Sequence, residues 1–157
     1  MSIHNNILHR KAFTAIELIF VIIIISILAS IAIPKLSATR MDAKLSVKAQ
    51  NIMIAASEIV SYAVSHGGVE PTLSLMSNSI KSMLERNEAV TPANYILNVK
   101  VEEINDCIIL QIRNPGSNTE TLVLSYGATT SKNCDQLRSL IDNEAYPIVL
   151  RGQTVIY

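Results

Sequence analysis

Residues 13–33 read FTAIELIFVIIIISILASIAI, an apolar run whose single ionisable side chain is Glu17. A bilayer core needs ~20 helical residues to cross it, so this run has membrane length. After Pro34 the composition changes to charged residues, Ser, Asn and short apolar runs. A membrane-length helix followed by one small soluble domain is the plan this contrast implies, and a chain of 157 residues has room for both. The 13 Lys and Arg balance 13 Asp and Glu, which gives no bulk electrostatic support for nucleic-acid binding.

The run admits a plainer reading as a secretory signal, with Ser30-Ile31-Ala32 as a small-residue cleavage site. Its apolar length exceeds the ~7–15 residues of a cleavable signal core, and Pro34 follows the site almost directly. Upstream, MSIHNNILHRKA ends in Arg10-Lys11, which favours a cytoplasmic N-terminus and an exported remainder. Lys35, Arg40, Lys44 and Lys48 on the far side weaken that asymmetry. Cys107 and Cys134 both fall in the exported portion, where an oxidising compartment lets them pair; buried free thiols are the alternative.

Glu17 singles itself out, because a carboxylate at mid-helix in a membrane costs roughly 2.5–3.5 kcal/mol on insertion scales. It is the fifth residue counted from Phe13, behind Arg10-Lys11-Ala12 and ahead of an almost uncharged helix. The string RKA-FTAIELIFVIIIISILASIAIP resembles the class III signal of type IV pilins and type II secretion pseudopilins. The resemblance implies cleavage by a prepilin peptidase between Ala12 and Phe13, and N-methylation of the Phe13 amine. The family most often has Gly where this chain has Ala12. It also implies polymerisation into a filament through the apolar helix, with Glu17 setting register by pairing with the terminal amine of a neighbouring subunit. Such a pair would offset much of the desolvation of Glu17. The alternative is a tolerated acid that snorkels to the interface from one turn inside the helix.

Pro34 stands where many family members carry a helix-bending proline. It removes one helical hydrogen bond and crowds the preceding turn, so a kink, a melted stretch or a plain terminator all follow from its chemistry. Beyond it Leu45, Ala49, Ile52, Ala56, Ile59 and Ala63 return at spacings of three and four. They form one helical stripe, with Lys44, Lys48, Gln50, Ser57 and Glu58 off it, and Gly67-Gly68 supplies the stop. Residues 13–66 then make one kinked helix of roughly 80 Å at ~1.5 Å per residue, or two helices separated at Pro34. The family prefers the first.

A short helix is expected around residues 75–86, in the region that the family uses as a variable loop. Strands are expected at 95–101 (YILNVKV), 107–113 (CIILQIR) and 121–126 (TLVLSY), with a turn at Asn114-Pro115-Gly116. A helical turn at 135–141 and a closing hairpin of 148–150 with 155–157 complete the reading. The expected fold is α+β: a long kinked N-terminal helix, transmembrane in its first half, packed on a small antiparallel sheet in the manner of type IV pilins. The segments are a leader (1–12), a transmembrane and filament-core helix (13–34), its amphipathic half (35–66) and a small αβ globular domain (67–157). The family's C-terminal disulfide loop implies a Cys107–Cys134 bridge.

No Walker-type loop is present, so the chain is not the ATPase that would drive assembly. His66 is the one histidine outside the leader and joins no Ser-His-Asp or Cys-His set. Asn105-Asp106 and Asp142-Asn143-Glu144 read as turns, without a calcium-ligand spacing. No cofactor, no metal and no enzymatic activity are expected. Losing Arg10 and Lys11 leaves 11 bases against 13 acids, a net charge of about −2 and no DNA-binding patch. The partners implied are other pilins, the prepilin peptidase, an inner-membrane assembly platform and the lipid bilayer. The location implied is the inner membrane with the domain in the periplasm, assembled into a periplasmic pseudopilus or a surface pilus. The small domain fits a pseudopilin, and Glu17 argues against the tip-type minor subunit. Two rivals are a non-polymerising, membrane-anchored periplasmic binding module and a soluble domain released after Ala32.

Overall fold

The computed structural model describes residues 14–151. Helix α1 (Ala15–His66) is followed by a single 3-10 turn (Leu73–Leu75), α2 (Asn78–Glu85), β1 (Ala89–Ala93), β2 (Ile96–Val101), β3 (Ile104–Arg113), β4 (Thr121–Tyr126), α3 (Lys132–Ser139) and β5 (Ile148–Val149). The fold is α+β, with one long N-terminal helix and a five-stranded antiparallel meander in the order β1-β2-β3-β4-β5. The chain divides within α1 into two compact units, Met1–Met41 and Asp42–Tyr157.

In the first unit α1 is apolar on every side from Leu18 to Ile33 and then carries Lys35 and Arg40. Ile16, Leu18, Phe20, Ile23, Ile25 and Leu28 are all exposed. The helix is long and apolar enough to cross a membrane. It runs unbroken through Pro34, with no melted stretch at that residue.

In the second unit α1 becomes amphipathic. All six residues of the expected stripe are buried, joined by Ala55. The sheet's buried face presents Leu97 and Val99 on β2, Ile108, Leu110 and Ile112 on β3, and Leu122 and Leu124 on β4. These align across the strands, Leu97 opposite Leu110 and Leu110 opposite Leu124, so one continuous apolar surface results. Each fully buried Leu or Ile stabilises this core by about 1.5–3 kcal/mol before conformational entropy is counted.

The helix stops where the diglycine sits. Gly67 takes a left-handed φ of 73°, and the Gly68 amide donates back to the Ala63 carbonyl, which is a Schellman closure. The elements differ from expectation at several points, and β3 begins at Ile104 rather than at residue 107. The helix expected at 75–86 begins later, at Asn78, because Ser77 is extended and its hydroxyl accepts from the Ile80 amide as N-cap. The helical turn expected at 135–141 begins earlier, because Ser131 caps it through the Cys134 amide. β1 (AVTPA) is an unforeseen edge strand, with Pro92 tolerated at a register irregularity. Residues 148–149 pair with β4 at the opposite edge, and the second arm of the expected C-terminal hairpin, 155–157, lies outside the described residues.

Candidate functional site

A shallow groove beside α1 is lined by Ser57, Glu58, Ser61, Tyr62, Ser65 and Ser77, and among the described residues no histidine or second acid joins Glu58 there. The unusual chemistry of the structure lies along α1. At the head of the helix, Thr14 and Glu17 form a reciprocal cap. The Thr14 amide and hydroxyl both donate to Glu17 Oε2 at 2.8 Å, and the Glu17 amide donates to Thr14 Oγ1 at 3.3 Å. This is a capping box, satisfying backbone donors that a helix start leaves open. The spacing T-x-x-E in Thr14-Ala15-Ile16-Glu17 carries this signal in the sequence, and the expectations above do not include it. Glu17 therefore has partners within its own chain. Ala12 and Phe13, the expected cleavage and methylation positions, lie outside the described residues.

Between Ser46 and Ser65 every fully exposed residue of α1 is uncharged. These are Ser46, Val47, Gln50, Met53, Ile54, Ser57, Ser61, Val64 and Ser65. The apolar members are openly presented, with Val47 57 %, Met53 51 %, Ile54 40 % and Val64 72 % exposed. The two charges of this stretch are turned aside into contacts. Lys48 Nζ donates to the Lys100 carbonyl at 2.6 Å. Burial holds its pKa below the ordinary lysine value, with Glu88 opposing that shift and Arg86, Lys100 and Lys44 adding to it. Glu58 Oε2 accepts from Ser77 Oγ at 2.5 Å and from the Ser79 amide at 3.1 Å, at the N-terminus of α2. Burial raises the Glu58 pKa, but the hydrogen bonds from Ser77 and Ser79 together outweigh it and leave the carboxyl below its ordinary value.

Cys107 on β3 and Cys134 on α3 form a disulfide with their Cα atoms 5.7 Å apart. Both are buried. Arg138 reinforces the join, donating to the carbonyls of Cys107, Gly127 and Thr129 and lying over the Tyr126 ring. His66 is exposed, stacks on Tyr62 with centroids 3.9 Å apart, and places Nδ1 3.1 Å from the Tyr62 carbonyl. Asn105 and Asp106, expected in a turn, lie instead within β3 just after Ile104, and Asp142 Oδ1 accepts from the Glu144 amide in a tight turn. Among the described residues no three His, Cys, Asp or Glu side chains are grouped to hold a metal ion.

No family model, curated protein or solved structure matches the chain.

Proposed function

We propose that the chain is a structural subunit of a type IV pilus-like filament, a pilin or a type II secretion pseudopilin, processed before Phe13 and polymerised through α1. The observation that carries this reading is the uncharged outward face of α1 within the domain. A solvent-facing helix ordinarily places its charges opposite the core stripe. Here the charges between Ser46 and Ser65 are drawn into lateral contacts, and an uncharged ridge of mixed Val, Met, Ile, Ser and Gln side chains faces outward. A membrane anchor alone has no use for such a ridge, since residues 15–34 already supply the ~20 needed to span. A helix that must pack against copies of itself beyond the bilayer does need one. Extraction from lipid leaves residues 13–33 apolar on all sides, and neighbouring helices replace the lipid. Glu17 and the Phe13 amine of a neighbour then fix register, with the domain outermost in the periplasm and beyond. In this reading the chain is not an enzyme and takes no cofactor; its partners are other pilins, prepilin peptidase and the inner-membrane assembly platform.

A membrane-tethered periplasmic binding module is the second reading. A groove of about 410 Å³ between α1 and the segment before β5, lined by Met53, Val60, Ile141 and Tyr146, favours it. Intact mass and N-terminal sequencing of the membrane-extracted chain separate the two. A chain that starts at Phe13, with a methyl on its amine, supports the filament subunit. A chain that starts at Met1 supports the tethered module, and one that starts at Ile33 defeats both.

A further inference from the structure

Among the described residues Glu120 is one of two buried polar side chains, with Ser77, and it is wholly inaccessible. Its Oε1 accepts from the Gly116 amide at 3.0 Å, while Oε2 has no hydrogen-bond partner. The cation nearest to that oxygen is Arg151, whose Nε lies 3.9 Å away and is itself buried without a hydrogen bond. The rest of the guanidinium reaches two other parts of the fold. Nη2 donates to the Gly67 carbonyl at 2.8 Å and Nη1 to the Gly116 carbonyl at 3.4 Å. The backbone repeats the connection, since the Leu150 amide donates to the Glu120 carbonyl at 2.9 Å.

We propose that Glu120 and Arg151 form a charge lock that makes the end of α1, the β3–β4 turn and the end of β5 open and close as one unit. The three parts have little else in common. β5 is only two residues long and pairs with β4 at only two positions, too short a ladder to stay docked by itself. The β3–β4 turn is polar and exposed over much of its length. The end of α1 offers carbonyls with no helical partner, where a guanidinium is favoured by the helix dipole. Among the described residues Arg151 is the one side chain that bonds both the turn and the helix end, and it faces a carboxylate that cannot reach water. Gly68 belongs to the same device. A Cβ at that position would stand 3.0 Å from Arg151 Nη2, so the diglycine both ends the helix and leaves the passage through which the guanidinium reaches Gly67.

The lock is tested by amide hydrogen exchange on the full chain in detergent, read at Leu150 just after β5 and at Gly68 in the helix closure. Arg151→Gln and Glu120→Gln should each speed exchange at both amides by roughly tenfold or more, the scale of a lost hydrogen bond to a charged group. The double variant should be no faster than the faster single, because each single has already opened the same unit. The proposal is overturned if Glu120→Gln leaves Gly68 protected, or if the two charge variants multiply. Should Glu120→Gln not fold, Arg151→Gln decides alone: an unchanged Gly68 or Leu150 amide in that variant rejects the lock.

Discussion

Glu17 and Glu58 are two carboxylates on one helix that reach opposite ends of usefulness through the same device, a serine or threonine at a helix start. Glu17 closes a capping box on Thr14, and this splits its expected role into parts that substitution can separate. Gln at position 17 keeps an acceptor for the Thr14 amide but loses the charge that a neighbour's amine would read. Glu17→Gln should therefore retain helix and membrane insertion while filament yield collapses. Normal filament yield in Glu17→Gln would mean that capping is the whole role and that register is set elsewhere. Glu58 bonds Ser77 and Ser79 across to α2, and its carboxyl sits below the ordinary range in the folded chain. A lowered folded pKa means that the ionised form binds the fold more tightly. That contribution is present at neutral pH and above the unfolded carboxylate range, and is lost as pH falls through the lowered folded value. Acid unfolding followed by circular dichroism should show Glu58→Gln losing stability at neutral pH and converging on the parent in acid. A constant difference across that range would show that the carboxylate charge is not what matters.

The two faces of α1 in the domain differ in what they demand. The inward stripe is core: Ile52 and Ile59 are fully buried, and Ile52→Ala should cost about 2–5 kcal/mol of unfolding free energy. The outward ridge should behave in the reverse way. Val47→Lys and Val64→Lys sit at open positions and should change stability by no more than about 0.5 kcal/mol. In a filament they would bury an unpaired charge between subunits, so assembly should fail while the monomer stays folded. Filaments at normal yield would remove the ridge from the packing surface. The inward stripe was legible because spacings of three and four need only the helix's own period. The outward face was not, because Lys48 and Glu58 read as solvent charges until Lys100 and Ser77, distant in sequence, show where they point. β1 stayed hidden for a similar reason. Ala89–Ala93 contains Pro92 and lacks alternation, and only pairing with β2 makes it a strand. The starts of α2 and α3 lay in Ser77 and Ser131, both visible as capping residues before short polar helices without strong apolar period.

At the scale of the whole chain, the question is what keeps the small domain intact. The α1 stripe and the sheet supply most of the core, and α3 adds little to it, an eight-residue helix with only Cys134 and Leu137 buried. A helix of that length is unstable alone in water, since isolated helices below ~12–15 residues are marginal. Its attachment is the Cys107–Cys134 bridge, assisted by Arg138 on the carbonyls of Cys107, Gly127 and Thr129. Closing a loop with a sequence separation of 27 stabilises the fold by roughly 3–4 kcal/mol in the chain-entropy picture. Such a bridge fits an oxidising compartment, as a domain exported behind a membrane-length helix would meet. Replacing both cysteines by serine should then act unevenly. Amides of α3 and of residues 128–131 should lose protection first, while those of β2, β3 and the buried stripe of α1 keep theirs until global unfolding, which should move to lower denaturant. Hydrogen exchange read by element distinguishes this from a bridge that holds the entire domain: uniform loss across β3 and α1 would mean the disulfide is integral to the core, and unchanged α3 protection would mean that Arg138, buried Leu137 and the Asn133–Glu102 and Gln136–Asp42 bonds suffice to dock it.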